Sequence, residues 1–510
     1  MAVELTVDGH PVVVENDRAD LLTVLRDQCG ITSVKDGCAP QGQCGCCTVL
    51  IDGQARVACV TPVRRIAGRA VRTIDGLEAG ERERWAAVFA GSGASQCGFC
   101  TPGIICRLSA LHAAGVEVDN RTKLDNALAA HLCRCTGWQT IREAWVAFPG
   151  GATNELTAEA AARAELEGRT PQKVGADVAL GRGGFSADTS PADVLVAVPA
   201  GDGANWVVGP SLTEARTASG KVQGRRTTAA ATHPIAVPEG EWALTLQTAW
   251  VEPAALETET VWCAPGGEPS SLLANGGAFG AKADLQAELG ATARRLADEH
   301  GAAVRLVLSR EDSVRLGPKR PPLAAGVRSD GSGVVHVART PGIAAAIARV
   351  APAFDVVEVD VPGPPTSASL RGAGWLEAAV LVGAHAGADT IEGPDGGRAT
   401  ATFDGKVIRV SVDAGAVLDP TVLRSYCIGA AHMGYSLVTS EQLAVAEDGT
   451  IGDLTVRSFG IVRSADMPHV DVSIVESDHP AVNGSDAVFA AVALATWRHA
   501  GLPARWPTRQ

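Results

Sequence analysis

Apolar and polar residues alternate through the first 78 positions. In VELTVDGHPVVV, Val3, Leu5 and Val7, then Val12 and Val14, flank an Asp8-Gly9 pair, the pattern of a two-stranded hairpin. TVLIDGQARVACV repeats it about Asp52-Gly53. Between them, DLLTVLRDQCG sets Leu21, Leu22 and Leu25 on one helical face and stops at Gly30, a suitable C-cap. The spacing predicts a small sheet crossed by one helix. From 79 to 148 the period lengthens. RERWAAVFAGSG, GIICRLSALHAAG, TKLDNALAAHLCRC and TIREAWVAF mostly carry apolar residues three and four apart, which predicts four short helices. Segment 149–172, PGGATNELTAEAAARAELEGRTPQ, is polar and rich in Ala and Glu, and reads as a linker or one exposed helix. Residues 173–510 mix short strands with helices such as LQAELGATARRLADEHG and GSDAVFAAVALATWRHAG. The expected fold class is α+β, divided at 1–78, 79–148, the 149–172 linker and 173–510.

Charge and composition narrow the function. A formal net charge of −13 over 510 residues offers no basic face for phosphate backbones, so no nucleic-acid partner is expected. The start, MAVELTVDGHP, lacks a basic segment followed by an apolar run. No stretch supplies the roughly 20 uninterrupted apolar residues of a membrane helix. A cytoplasmic chain with no membrane contact is expected. Of 13 cysteines, eleven fall within the first 135 residues. In a reducing compartment such clustering points to metal or redox chemistry instead of disulfides.

Two constellations stand out. The first is Cys38-x5-Cys44-x2-Cys47, with Cys59 twelve residues on. Three thiolates on one loop and a fourth from the next hairpin can enclose a small cluster, and Gly37, Gly42 and Gly45 leave room for inward-turned N–H groups. The loop is one residue longer than the plant-type ferredoxin spacing, and Cys46 beside Cys47 leaves the assignment open. Four thiolates would also suit structural zinc. The second constellation is Cys97-x2-Cys100 with Cys133-x-Cys135, which by spacing alone fits zinc or a cluster. A dithiol redox site would need no second pair. Cys29 and Cys106 read as ordinary buried thiols.

GCAPQGQCGCCTVLIDG, QCGFCTPGI and HLCRCTGWQTI resemble the paired 2Fe–2S domains of the molybdenum hydroxylases, the xanthine dehydrogenase/aldehyde oxidoreductase family, over essentially all of residues 1–148. That resemblance implies a β-grasp ferredoxin domain followed by a four-helix domain. It implies one 2Fe–2S cluster on Cys38, Cys44, Cys47 and Cys59, and another on Cys97, Cys100, Cys133 and Cys135. It also implies that Gln96 reaches the pterin of a molybdenum cofactor; without the family, Gln96 reads equally as a helix-capping amide.

The C-terminal part resembles a shortened molybdopterin-binding region. AWVEPAALETETVWCAP is similar to a strand pair leading to the cofactor. LLANGGAFGAK is similar to the Gly-Gly-x-Phe-Gly-Gly loop, which implies cofactor contacts at Gly277, Phe279 and Gly280. SLRGAGW is similar to the Arg-Gly-x-Gly loop, which implies Arg371 and Gly372 beside a substrate oxygen. Three departures follow. A Gln expected after VW is missing, Tyr426-Cys427-Ile428-Gly429 stands for Gln-x-Glu-Gly, and Ser485 stands where the family's catalytic glutamate is expected, with Asp486 next. An unassisted serine is a poor general base. The catalytic residues are therefore left unassigned.

Besides a zinc-stabilised structural protein, two expectations result. Either the chain is an oxidoreductase subunit that oxidises an aldehyde or N-heterocycle at its own molybdenum cofactor and passes electrons through two 2Fe–2S clusters. Or it is a non-catalytic iron–sulfur subunit whose degenerate molybdenum domain docks on a separate molybdenum catalytic chain. The family's single-chain members carry a flavin domain where only 149–172 lies here, so FAD is expected on a partner subunit.

Overall fold

The computed structural model describes residues 2–508 apart from 152–153, 202, 204, 221–223, 225 and 274–277. The two hairpins form as the alternation predicts. His10–Val14 pairs antiparallel with Val3–Val7, and Gln54–Val57 with Thr48–Ile51. Ala70–Arg72 joins them, parallel to Val3–Val7 and antiparallel to Thr48–Ile51, giving one five-stranded sheet. The short helix Leu21–Thr23, capped by Asp20, continues as a wider turn over Val24–Gln28 and buries Leu21, Leu22 and Leu25. This is the β-grasp arrangement.

Four helices follow: Ala79–Gly91, Thr101–Ala113, Arg121–Leu128 and Gln139–Ala147. Trp85, Trp138, Trp145 and Phe148 are buried among them, and the Trp85 and Phe148 rings stack at 3.6 Å. The C-terminal part is mixed α+β, with one four-stranded sheet (Trp206–Gly209, Leu195–Pro199, Val304–Val307, Thr260–Cys263), one five-stranded and another four-stranded. In the last of these, Val407–Asp413 pairs in parallel with His469–Val475. Helices Pro420–Thr439 and Ser485–His499 pack on each other and are buried almost throughout.

Segment 149–172 departs from a linker or an exposed helix. It contains the helix Ala160–Gly168, in which Arg163 and Glu167 are fully buried and ion-paired at 2.9 Å. Arg163 donates to the carbonyls of Val417, Ala416 and Val482, while the Glu167 carboxylate accepts from the N–H groups of Gly484 and Ser485. These partners lie some 250 to 320 residues away, beyond any local pattern. One hydrophobic core runs from the β-grasp sheet through the helical domain into the C-terminal part. Among the described residues no helix is long and apolar enough to cross a membrane.

Candidate functional site

The loop 36–47 reverses direction through residues with positive φ: Ala39 at 52°, Gly42 at 68° and Gly45 at 75°. That curvature turns the Gln41 N–H toward the Cys38 sulfur at 3.2 Å, and the Cys59 N–H lies 3.5 Å from the Cys47 sulfur. Cys38, Cys44, Cys46, Cys47 and Cys59 are all buried. Thiols of Cys44 and Cys59 donate to Cys38 and hold it well below the ordinary thiol range. Cys59 donates to Cys47 as well, so its own pKa is pushed far up. Cys44 is likewise raised, by donating to Cys38 and Cys46. The sulfurs therefore link in the order Cys46, Cys44, Cys38, Cys59, Cys47, with Cys46 at one end.

The second group sits where the helix Thr101–Ala113 begins and where the turn 131–138 leads into Gln139–Ala147. Its sulfurs fall into two couples. Cys97 and Cys135 are 3.9 Å apart, and Cys100 donates to Cys133. That donation, helped by the Thr136 hydroxyl at 3.0 Å and by backbone N–H groups, lowers Cys133 to about 6 against the cost of burial. The positive end of the 13-residue helix adds to the field that favours negative charge here.

The two groups are neighbours. A side chain at Gly103 would strike the Gly45 and Cys46 carbonyls, and one at Gly45 would strike the His131 ring. Leu132 donates its N–H to the Cys44 carbonyl at 2.9 Å. Cys46 feels charge from Cys38, Cys47 and Cys133, so it lies between the groups.

Gln96 caps no helix. Its Nε2 bridges the Cys135 carbonyl (2.9 Å) and the Ser425 hydroxyl (3.0 Å), and its buried Oε1 has no partner. Gly429 lies against the Cys135 carbonyl so closely that no Cβ fits. The Gly of Tyr426-Cys427-Ile428-Gly429 is thus a packing requirement where Pro420–Thr439 crosses the second group. Tyr426 is buried with its ring 6.3 Å from that of Phe279, and charge at Cys135, Cys97 and Arg371 reaches its hydroxyl. Burial pushes that hydroxyl well above its usual range.

The stretches around Phe279, Arg371 and Ser485 do converge. The Arg371 N–H donates to the Phe279 carbonyl at 3.0 Å, and Gly280 and Gly372 carry φ of 91° and 73°. The Gly280 position is pressed against the Ser369 carbonyl. Gly277 lies outside the described residues. The Arg371 guanidinium donates to Asp486 at 2.8 Å and to the Ser485 hydroxyl, and it sits 4.8 Å from the Phe279 ring centre. The other Asp486 oxygen is taken by Arg169. With both oxygens engaged by guanidinium groups, Asp486 is a structural anion rather than a base facing a substrate.

The described residues leave a cavity of about 40 Å³ at this corner, lined by Arg134, Phe279, Arg371, Met433, Glu441 and Phe489 among others. That holds one or two waters. A cofactor cavity is roughly 300–1,000 Å³. At this corner the described residues therefore leave no room for a pterin: Arg371 is engaged by Asp486, and Tyr426 and Phe279 pack against each other beside it.

Sequence reasoning missed two groups that brace the sites. Arg134, between ligand candidates Cys133 and Cys135, forms a two-pronged pair with Glu441, one arm at 2.8 Å. Arg310 donates to the Gly37 and Leu256 carbonyls at 2.7 Å, tying the first loop to the C-terminal part. A charge between two cysteines was a signal for Arg134. Nothing local marks Arg310.

Residues 73–146 match the family model described as "[2Fe-2S] binding domain". The chain is 38% identical over 143 residues to the xanthine dehydrogenase iron–sulfur-binding subunit of Escherichia coli O157:H7, covering 28% of this chain and 89% of that one. It is 36% identical over 154 residues to the nicotine 6-hydroxylase small subunit of Paenarthrobacter nicotinovorans, covering 30% and 92%. Over the whole chain a likeness of fold is found. The aldehyde oxidoreductase from Desulfovibrio gigas superposes with a TM-score of 0.70 at 14% identity, covering 100% of this chain and 99% of that one.

Proposed function

Because this chain belongs to the xanthine dehydrogenase/aldehyde oxidoreductase family of molybdenum hydroxylases, whose members are oxidoreductases, we propose that it is an electron-carrying subunit that docks on a separate molybdenum catalytic chain. In this reading Cys38, Cys44, Cys47 and Cys59 hold one 2Fe–2S cluster and Cys97, Cys100, Cys133 and Cys135 the other. Each cluster, when bound, takes up and releases one electron. In the second group the sulfurs fall into two couples, Cys97 with Cys135 and Cys100 with Cys133, which supports two irons over a single zinc there; in the first, Cys59 reaches both Cys38 and Cys47 in one continuous chain of sulfurs. Two thiolates per iron make up the four-cysteine set of such a cluster. Zinc would ask for all four around one point. The protein's own residues supply thiolates, inward N–H groups and burial that keeps water off the sulfurs.

The observation that carries the relay reading is that the described residues leave only a small cavity at the Arg371 corner. An electron donor with substrate, and an acceptor such as an FAD subunit, then belong to other chains. The test is metal analysis of full-length protein made in a host that synthesises the molybdenum cofactor. About four irons per chain with no molybdenum or pterin is expected. Stoichiometric molybdenum would contradict the relay reading, and zinc in place of iron would contradict both clusters.

A further inference from the structure

A void of about 10 Å³ lies against the second cysteine group, walled by Cys97, Cys100, Cys135, Arg134, Lys282 and Glu257 among others. Two cations therefore share a wall with three of the cysteines. Lys282 is cancelled in place, because Glu257 holds it at 2.6 Å and lines the same wall. Arg134 is arranged differently. It lines this void and also the cavity at the Arg371 corner, whereas Glu441 lines only the latter. The guanidinium is thus a partition, with cysteines on one side and its carboxylate on the other. Both its Nη1 and Nη2 donate to Glu441, Nη2 at 2.8 Å, and its Nε donates to the Pro253 carbonyl at 3.2 Å. Arg134 and Glu441 are 7% and 2% exposed, so little water screens either charge. On the cysteine side, the Arg134 charge favours the Cys135 thiolate.

A 2Fe–2S cluster on four thiolates is anionic, and taking up one electron adds one more negative charge. Net charge and burial are among the factors that set the potential of such a centre. A lone guanidinium carried between two ligand cysteines would strongly favour the reduced form. A relay is poorly served by that, since a centre that holds its electron too tightly passes nothing on. Glu441 removes most of the bias from behind the guanidinium, without touching the cysteines. Resting on the relay reading above, we propose that Glu441 is a positioning residue that sets the reduction potential of the second cluster by cancelling Arg134. The pair braces the fold as well, but a brace alone would leave the potential where it is when only the charge is removed.

Potentiometric titration of the full-length, cluster-loaded chain, followed by low-temperature EPR with iron analysis alongside, tests this. Glu441→Gln keeps the shape and one acceptor for Arg134 but removes the charge. It is expected to favour reduction of the second cluster by about tenfold or more, a rise of roughly 59 mV or more for a one-electron couple. The second cluster is the one whose signal survives in Cys47→Ser, and the other signal is expected to stay in place. Arg134→Gln is expected to move the same couple downward, and Arg134→Lys, which keeps the charge, to stay nearer the parent. Full iron with an unmoved second couple in Glu441→Gln would overturn the inference and leave the relay reading standing. So would shifts of the same sign in Glu441→Gln and Arg134→Gln. Iron lost from Glu441→Gln would assign the pair to bracing alone and overturn the inference too. A parent chain with no second signal would overturn both.

Discussion

At the residue scale, adjacent cysteines have different jobs. Cys47 lies by Cys59, whereas Cys46 lies by Cys44 and close to Gly37, facing the second group. Cys47→Ser is therefore expected to cost the first cluster, lowering iron from about four to about two per chain, while Cys46→Ala keeps all of it. Iron analysis with visible absorbance separates the two variants; equal loss in both would return the assignment to Cys46. His432 makes a second case. It is fully buried, its Nε2 lies 3.0 Å from the Val462 carbonyl, and burial lowers its pKa to about 4. Unfolded, it titrates near 6.5. Between these values the unfolded chain binds the extra proton, so stability is full above pH 6.5 and falls as pH drops toward 4, by on the order of 3 kcal/mol. Thermal melts from pH 7 to 4.5 should show His432→Gln losing less stability on acidification than the parent; parallel curves would refute this.

At the element scale, what could be read from the sequence depended on where the partners lie. The β-grasp hairpins and the four helices of 79–148 were legible because alternation and three-four spacing record a face buried locally. The grouping of the cysteines was legible because their spacing is itself local. The helix Ala160–Gly168 was not: AAARAELEG looks soluble until carbonyls from Val417 and Val482 surround Arg163. Pro420–Thr439 is apolar on nearly every face, so periodicity could not say which side meets the cysteines. Gly429 decides that. Gly429→Ala would drive a methyl into the Cys135 carbonyl, and overpacking of this kind costs about 1–3 kcal/mol or more. The expected outcome is a lower melting temperature together with a changed spectrum for the second cluster alone. A variant matching the parent in both would contradict direct docking of this helix on that site.

At the scale of the whole molecule, the cluster domains and the C-terminal part are bound by buried polar contacts as well as a shared core. Arg134 reaches Glu441, Trp138 donates to the Val462 carbonyl, Gln139 bonds both the N–H and carbonyl of Val470, and Arg310 grips Gly37. A scaffold fastened at both cysteine groups would hold the two proposed clusters at fixed separation, while among the described residues the Arg371 corner is filled by its ion pair to Asp486. The sequence showed the missing glutamate at Ser485, but not that Asp486 would be consumed by two arginines. That outcome needed three distant stretches in one place. Low-temperature EPR of the anaerobically isolated, dithionite-reduced full-length chain is the direct measurement. Two distinct 2Fe–2S signals, integrating to about two spins per chain with no molybdenum signal, are expected. A silent spectrum, a single signal, or a molybdenum resonance would contradict a two-cluster relay.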